Sequence, residues 1–117
     1  MTPAQNWRTR LSAAAERDFA SILEWTNERF GSRQARVYRD ALENAIRALR
    51  NGPDARGAKR RNDIIAGIWL LHIARDRRRG RHFLLYRVTD GRTIEIVRIL
   101  HDSMDFARHL PEQQDDR

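Results

Sequence analysis

Residues 82–100 read HFLLYRVTDGRTIEIVRIL, two largely apolar runs on either side of Asp90-Gly91. Because aspartate and glycine tolerate positive φ, this dipeptide between two such runs predicts a β-hairpin. With Asp90-Gly91 as a two-residue loop, pairing counted outward from the turn places Arg87 and Arg98 on one sheet face. Glu95 is expected on the opposite face. The hairpin is therefore the predicted centre of a β-sheet that carries two arginines on one side.

The residues before this hairpin predict a third strand. Residues 68–74 (IWLLHIA) are apolar at nearly every position, as in a strand that is covered on both faces. A second turn is expected within residues 76–81, where Gly80 lies among arginines. The polar, basic segment 53–62 fits neither the helical nor the strand period and is expected to be a loop. Consecutive strands joined by tight turns must be antiparallel neighbours.

The N-terminal part of the chain predicts one short strand and two helices. Residues 7–11 alternate apolar or hydroxyl side chains with arginines, which is the period of a strand with one buried face. Ser12 suits a helix N-cap, and apolar residues then recur every three or four positions until Gly31 ends the pattern. Ser32 is expected to cap a second helix that stops before residues 51–53. The two helices would form an αα-hairpin that covers one face of the sheet.

The C-terminal residues predict a short helix and a tail. Asp102 and Asp105 are expected to cap this helix, which ends near Leu110, and the polar tail 111–117 is expected to be frayed. The element order is β-α-α-β-β-β-α. The fold class is α+β, with the αα-hairpin packed on one face of a small, mainly antiparallel sheet. At 117 residues the chain has room for one domain, residues 1–117, with an ordered core from about 7 to 110.

The positive charge of the chain is concentrated in residues 56–87. This segment holds ten cations against Asp63 and Asp76, a net charge of +8, whereas the whole chain carries +7 and the remainder is therefore −1. A surface this basic predicts an anionic partner, namely nucleic acid, an enzyme of nucleic acids, or an acidic polypeptide. The residues expected to bind such a partner are Arg77, Arg78, Arg79, Arg81, Arg87, Arg98 and His101.

The arginines among these candidates also have structural interpretations. Arg87 and Arg98 either floor a groove that receives carboxylates or phosphates, or brace the interior by stacking on Phe83 or by pairing with a carboxylate such as Asp102 or Asp105. The arginines within 77–81 either contact a partner or form a solvated hairpin tip that prevents edge-to-edge association. The residues alone leave both alternatives open.

No motif in the sequence predicts catalysis, a cofactor or a metal. No two histidines stand at the i, i+4 spacing of a helical metal site, and there is no P-loop, G-x-G-x-x-G or G-x-S-x-G motif. His101 is the best acid-base candidate, although a lone histidine at a strand end is more often a hydrogen-bonded corner residue. Trp25 lies off the apolar stripe of its helix, so partial exposure is expected, and it is a candidate contact for another chain.

Composition favours a cytoplasmic protein. The chain contains no cysteine, which excludes disulfides and thiolate metal sites and is compatible with a reducing compartment. No apolar run approaches the roughly 18 residues of a membrane helix, and the first residues lack the order of a secretory signal. A soluble, cytoplasmic protein without membrane association is therefore expected.

Several segments together resemble one family. The sequences LSAAAERD (11–18), RFG (29–31), FLLYRV (83–88) and IEIVRILHDSMD (94–105) resemble the ParE toxins, within the RelE/ParE superfamily of bacterial toxin-antitoxin systems. The likeness spans residues 8–110, and the superfamily has the element order given above. It implies a plasmid-maintenance toxin that arrests growth by binding DNA gyrase, without enzymatic chemistry or a cofactor. It also implies a cognate acidic, ParD-like antitoxin that folds over the basic stretch. The basic hairpin 75–81 looks longer than in many ParE relatives, and three contacts stay open for it: DNA held by gyrase, gyrase itself or the antitoxin.

The same superfamily includes RelE-like endoribonucleases, which cut messenger RNA on the ribosome, and this is the alternative function. RNA cleavage without a metal needs an acid, a base and cations. Residues 101–105 read HDSMD and no tyrosine follows Tyr86, so this end of the chain is acidic and would repel a scissile phosphate. His101 with Arg98 would be the pair available for cleavage. A plain RNA-binding module is disfavoured, because the few aromatic residues form no stacking platform.

Overall fold

The computed structural model describes residues 6–75 and 77–110. Its helices and strands in chain order are β1 (Arg8–Leu11), α1 (Ala13–Phe30), α2 (Ser32–Ala48), β2 (Lys59–Arg60), β3 (Trp69–His72), β4 (His82–Val88) and β5 (Thr93–His101). A 3-10 turn follows α2 at Leu49–Asn51, and another follows β5 at Phe106–His109. The predicted tail 111–117, and Asp76 in the predicted second turn, lie outside the described residues.

The strands form one sheet in the order β1-β5-β4-β3-β2. Neighbouring strands from β2 to β5 pair antiparallel, and β1 lies parallel to β5 at the edge, with Arg8 opposite Thr93. The predicted α+β fold with a mainly antiparallel sheet is therefore confirmed. The loop predicted over 53–62 is wrong at β2, because two residues inside a polar segment are too few to display a period.

Both helices begin and end close to the predicted residues, but only one of the two predicted serine caps forms. The Ser12 hydroxyl accepts the amide hydrogen of Ala15 at 3.0 Å and so caps α1. α1 ends where Gly31 adopts a φ of 94°, a conformation that favours glycine. The predicted Ser32 cap is wrong, because Ser32 is already helical and the carbonyl of Gly31 accepts the amide of Ala35 at 3.1 Å.

The central hairpin has a different register from the predicted one. Its loop contains three residues, 90–92, with positive φ at the glycine. The two-residue loop is therefore wrong, and Arg87 lies opposite Glu95, so that Glu95 shares the face of the arginines. A register shift further along the strands places Arg98 opposite Leu85. The expectation that Arg87 and Arg98 share one sheet face is confirmed.

Buried apolar clusters lie on both faces of the sheet, but only the face towards the helices is fully covered. One face packs against the helices, as predicted, through buried residues that include Ala15, Leu42, Leu71, Leu84, Tyr86, Ile94 and Ile96. The opposite face holds a smaller buried cluster, made of Ile68, Leu70, Leu85, Val97 and Leu100. Ile64, Ile65, Phe106 and Leu110 pack against this second cluster. The second face is therefore covered at one end and open towards β1, where Arg8 and Arg10 are exposed.

The predicted C-terminal helix is a 3-10 turn. Asp105 precedes the turn without a side-chain hydrogen bond to it, and Asp102 binds Arg81 instead, so both predicted caps are wrong. Phe106 packs edge-to-face against Phe83, with ring centroids 5.5 Å apart. A tertiary contact therefore holds this segment on the sheet, where the sequence pattern had indicated helix caps.

Candidate functional site

An open groove lies where the corner between α1 and α2 meets the turn before β4. Its volume is about 760 Å³, within the range of natural binding pockets. The groove brings together five of the seven candidate binding residues: Arg77, Arg78, Arg79, Arg81 and His101. We call it the aromatic groove, because Trp25, Phe30 and Tyr38 also line it.

Large apolar side chains are exposed on the helical side of the aromatic groove. Trp25, Phe30 and Val37 are 52%, 61% and 55% exposed. The rings of Trp25 and Phe30 meet edge-to-face with centroids 5.9 Å apart, and the guanidinium of Arg29 lies 5.2 Å from the Trp25 ring. Exposed aromatic residues of this size, held in place by each other, are typical of surfaces that bind another protein. The partial exposure expected for Trp25 is confirmed.

The opposite rim of the aromatic groove is basic. Arg77, Arg78 and Arg79 are exposed at the tip of the turn before β4, whereas Arg81 is anchored. Arg81 donates from Nε and Nη2 to the carboxylate of Asp102 at 3.0–3.1 Å, and its carbonyl accepts the Asp102 amide at 2.7 Å. The hydrogen bonds from Arg81 lower the pKa of the Asp102 carboxyl to about 2. The base of the turn is therefore clamped, and three cations project beyond it.

A tyrosine-histidine pair forms the floor between these two sides. The Tyr38 hydroxyl lies 2.6 Å from Nδ1 of His82 and accepts the amide hydrogen of Arg81 at 3.0 Å. Burial, and then the positive form of neighbouring His101, lower the pKa of His82 to about 4. The imidazole of His82 is therefore neutral at pH 7, and its Nδ1 forms a hydrogen bond with the Tyr38 hydroxyl. Burial raises the pKa of Tyr38, so the hydroxyl keeps its proton.

His101 lies beside this pair at the end of β5, with its ring 5.3 Å from that of His82. Its Nδ1 accepts the amide hydrogen of Ser103 at 3.1 Å and lies 2.8 Å from the Ser103 hydroxyl. These bonds place the ring proton of neutral His101 on Nε2. The geometry is that of a hydrogen-bonded corner residue.

Arg87 and Arg98 belong to a different part of the molecule. They line a second groove of about 440 Å³ on the sheet face turned away from the helices. Arg81 and Arg87 stand at opposite ends of β4, about 20 Å apart for six residues of strand. The seven candidate residues are therefore divided between two sites.

Both arginines of the second groove pair with carboxylates, but not with the predicted ones. Arg98 donates to the Asp18 carboxylate from Nε at 2.7 Å and from Nη2 at 2.9 Å, and to the carbonyl of His109 at 2.8 Å. Arg87 donates to Glu95 at 2.9 Å and 3.1 Å. The predicted partners, Asp102 and Asp105, are wrong, because α1 lies beside β5 and the register brings Glu95 to this face.

Sequence reasoning missed part of the aromatic groove. Tyr38 lies in the second predicted helix and His82 at the start of the predicted central hairpin, and nothing in the sequence indicates that the two residues meet. The residues are 44 positions apart and meet only in the fold. The sequence did not indicate that Phe30 and Val37 are exposed, because both residues fit a helical pattern. The exposure of these two side chains could have been inferred from their position near the Gly31 corner, because residues at a corner between two helices project past the core.

The described residues offer no metal centre and no membrane span. Within 6–75 and 77–110, no group of three or more histidine or acidic side chains is arranged to hold a metal ion. None of the helices in the same residues is long and apolar enough to cross a bilayer. What the aromatic groove offers is binding, through exposed aromatic rings and through cations.

Comparison with known proteins identifies the family. The family model described as ParE toxin of the type II toxin-antitoxin system, parDE, matches residues 9–106. A toxin named ParE1 from Mycobacterium tuberculosis is 38% identical over 104 residues, which cover 88% of this chain and 97% of the relative. A ParE1 toxin from Caulobacter vibrioides is 34% identical over 101 residues, covering 86% and 95% of the two chains.

Solved structures share the fold. A chain of a chromosomal ParDE system from P. aeruginosa superposes with a TM-score of 0.67 at 20% identity, covering 83% of this chain and 97% of that one. A chain of the RelBE2 toxin-antitoxin complex from Mycobacterium tuberculosis superposes with a TM-score of 0.53 at 25% identity, covering 82% and 98%. The family match and the relatives over nearly the whole fold agree with the resemblance seen in the strand motifs. The chain belongs to the ParE family of toxins of type II toxin-antitoxin systems.

Proposed function

We propose that this toxin inhibits DNA gyrase by binding to it in the cytoplasm, and that an acidic, ParD-like antitoxin neutralises it. On this proposal the toxin arrests growth and serves plasmid maintenance without catalysing a reaction. Membership of the ParE family supports the target, and the aromatic groove is the observation that carries the mode of action. Its exposed rings and cations suit a protein partner better than a small substrate.

The groove favours an amphipathic, acidic segment as its occupant. Trp25, Phe30 and Val37 supply apolar contact area for one face of a helix, and the cations at 77–79 supply complementary charge for its acidic side. Gyrase and the antitoxin would compete for this groove, which explains how one partner cancels the effect of the other.

The nuclease alternative loses its proposed pair of residues. Arg98 is held by Asp18 and by the carbonyl of His109, in the second groove, whereas His101 lines the aromatic groove. A base and a cation that lie in separate grooves cannot act on one phosphate. The aromatic groove still places His101 beside the arginines at 77–81, but its exposed aromatic rings favour a protein partner over RNA cleavage.

The test compares two variants that lose the same charge. R77Q/R78Q/R79Q removes the cations of the groove rim, and R36Q/R39Q/R47Q removes three exposed arginines from the solvent side of α2. Purified proteins are assayed for inhibition of gyrase supercoiling, and cells without antitoxin are assayed for growth and for DNA damage response. We expect inhibition by the wild type and by the α2 variant, and at least about tenfold weaker inhibition by the rim variant.

Two results would overturn the proposal. Wild-type toxin that stops protein synthesis and leaves messenger RNA cut on ribosomes, with gyrase unaffected, would assign the nuclease function. His101→Ala should leave toxicity largely intact on the gyrase proposal, and a folded H101A protein that has lost both toxicity and cleavage of messenger RNA would give that histidine a catalytic role.

A further inference from the structure

The fold assembles a second basic surface that the linear distribution of charge conceals. It takes Arg8 and Arg10 from β1, Arg87 from β4, Arg98 from β5 and Arg108 from the last 3-10 turn. We call these five residues the arginine face. Only Arg87 lies within the basic segment 56–87. The other four arginines come from the rest of the chain, where positive and negative charges nearly cancel.

The register of the sheet brings these arginines to one side. Arg10 lies opposite Glu95, and Glu95 lies opposite Arg87, so that the three form a row across β1, β5 and β4. The row is joined by contacts to the Glu95 carboxylate at 3.5 Å from Arg10 and 2.9 Å from Arg87. Arg8 is two residues from Arg10 along the strand and therefore projects from the same side.

The carboxylates on this surface position the arginines without neutralising them. Counting Glu95 and Asp18 against the five arginines leaves a net charge of +3. Glu95 is only 14% exposed beneath Arg10 and Arg87, which are 60% and 53% exposed. Arg87 binds Glu95 through Nε and Nη2, and its Nη1 has no partner among the described residues. Guanidinium groups held in this way lose little conformational entropy when they bind an anion.

The chemistry of the arginine face favours phosphates over a protein partner. The second groove, which this face borders, is lined by no phenylalanine, tyrosine or tryptophan among the described residues. Val97 and Leu110 are its large apolar side chains, and both are at least partly buried in the cluster beneath it. Protein interfaces need an exposed apolar centre, which the aromatic groove has and this face lacks. Interfaces with nucleic acid are instead polar and rich in arginine.

The same features favour duplex over single-stranded nucleic acid. Single strands are held by stacking their bases on aromatic rings, and this face provides no such ring. The adjacent strands β1, β5 and β4 instead form a platform about 10 Å wide. On this platform Arg8 and Arg10 are spaced about 6.7 Å apart. Ala14, in the first turn of α1, borders the second groove, and the partial positive charge of that helix end adds to the arginines.

We propose that the arginine face binds the sugar-phosphate backbone of duplex DNA without reading its sequence. The arginines of this face lie on strands and on a 3-10 turn, and none of these elements would enter a groove of the duplex. Their contacts would therefore position the toxin on DNA without reading the bases. The site lies on the sheet face opposite the helices, and a protein in the aromatic groove would leave it free. The proposal does not depend on gyrase as the target, because it concerns the toxin and DNA alone.

The experiment measures binding of the full-length toxin to a fluorescent DNA duplex over a series of salt concentrations. R8Q/R10Q/R108Q is compared with R36Q/R39Q/R47Q, so that each variant lowers the net charge from +7 to +4. Circular dichroism checks that both variants are folded. If each of the three arginines contacts a phosphate, the slope of log K against log salt falls by about 2.7 in the first variant. We expect at least about tenfold weaker binding at 100 mM salt for that variant, and a slope change below about 1 for the control.

Three results would overturn the proposal. Equal losses in the two variants would mean that DNA responds to overall charge only. Tighter binding of single-stranded DNA than of the duplex would contradict the platform. Binding of a glutamate-rich peptide, lost in R8Q/R10Q/R108Q, together with no binding of DNA, would assign the face to an acidic protein.

Discussion

Asp18 joins the helical layer to the sheet through one carboxylate. It accepts hydrogen bonds from Nε and Nη2 of Arg98 and from the amide of Ile99 at 2.9 Å. β1 ends at Leu11, so the outer edge of β5 has no strand neighbour from Val97 onwards. Asp18 satisfies an edge amide there that would otherwise be left unpaired beside α1.

Replacing Asp18 by asparagine should destabilise the protein by about 2 kcal/mol, because the amide has one acceptor oxygen and turns its NH2 group towards donors. Urea unfolding measures the effect. The matched control is Glu95→Gln, whose partners Arg10 and Arg87 are largely exposed, and for which a loss below about 1 kcal/mol is expected. Similar losses in the two variants would show that Asp18 is no more than a surface ion pair.

His82 should make stability depend on pH. Burial lowers the pKa of its imidazole from 6.5 to about 4 in the folded protein. Between these two pH values the unfolded chain binds more protons than the folded one, so the free energy of unfolding decreases as pH falls from 6.5 to 4 and is fully retained above 6.5. Since the ring is partly exposed, we expect a loss on the order of 1–2 kcal/mol between pH 7 and pH 4.5.

His82→Gln separates this effect from other titrations, because glutamine can still form a hydrogen bond with Tyr38 but does not ionise. The variant should lose less stability than the wild type over the same pH interval. Asp102, whose pKa is lowered from 3.8 to about 2, loses its contribution only below that interval. The same pH dependence in both proteins would rule out His82 as its source.

At the scale of elements, periodic patterns predicted almost all of the fold. The alternation over residues 7–11, the helical stripes before and after Gly31, and the runs at 82–88 and 93–100 all correspond to observed elements. The register of the central hairpin was harder to predict than its strands, because Asp-Gly suits both two- and three-residue hairpin loops. A single added loop residue moved Glu95 from one face to the other, which is why the predicted partner of Arg87 was wrong.

Gly91 determines which of these loops forms. Its φ of 57° lies in the left-handed region, where a side chain other than that of asparagine or aspartate costs about 1 kcal/mol or more. Gly91→Ala should therefore lower the unfolding free energy by about 1 kcal/mol, and Gly91→Asn should cost less than half of that. No atom lies within 4 Å of a β-carbon built at this position, so crowding does not confuse the comparison. An alanine variant as stable as the asparagine one would mean that the loop relaxes to another conformation.

At the scale of the whole molecule, the candidate site was only half predictable. The sequence showed that residues 56–87 were basic and that Trp25 stood apart from its helical stripe. It did not show that the cations at 77–81 would meet the α1-α2 corner, since that contact joins residues more than 40 positions apart, as Tyr38 and Arg81 illustrate. Nor did it separate Arg87 and Arg98 from the others. Which groove a side chain lines depends on how the elements pack against one another, and the sequence does not show that packing.

The parallel pairing of β1 with β5 has a consequence for how the toxin becomes active in the cell. Ser12 bonds to the carbonyl of Val97, 85 residues later. At about 5–20 residues per second, synthesis takes on the order of ten seconds to supply that partner. The N-terminal strand must wait until residues 93–96 of β5 have been translated before it can pair. Nascent chains stalled before residue 93 should accordingly be digested by protease, and the finished chain should resist; equal resistance would mean that folding proceeds without this closure. If an antitoxin neutralises this toxin as proposed, antitoxin already present in the cell would meet each new toxin chain before its sheet is complete.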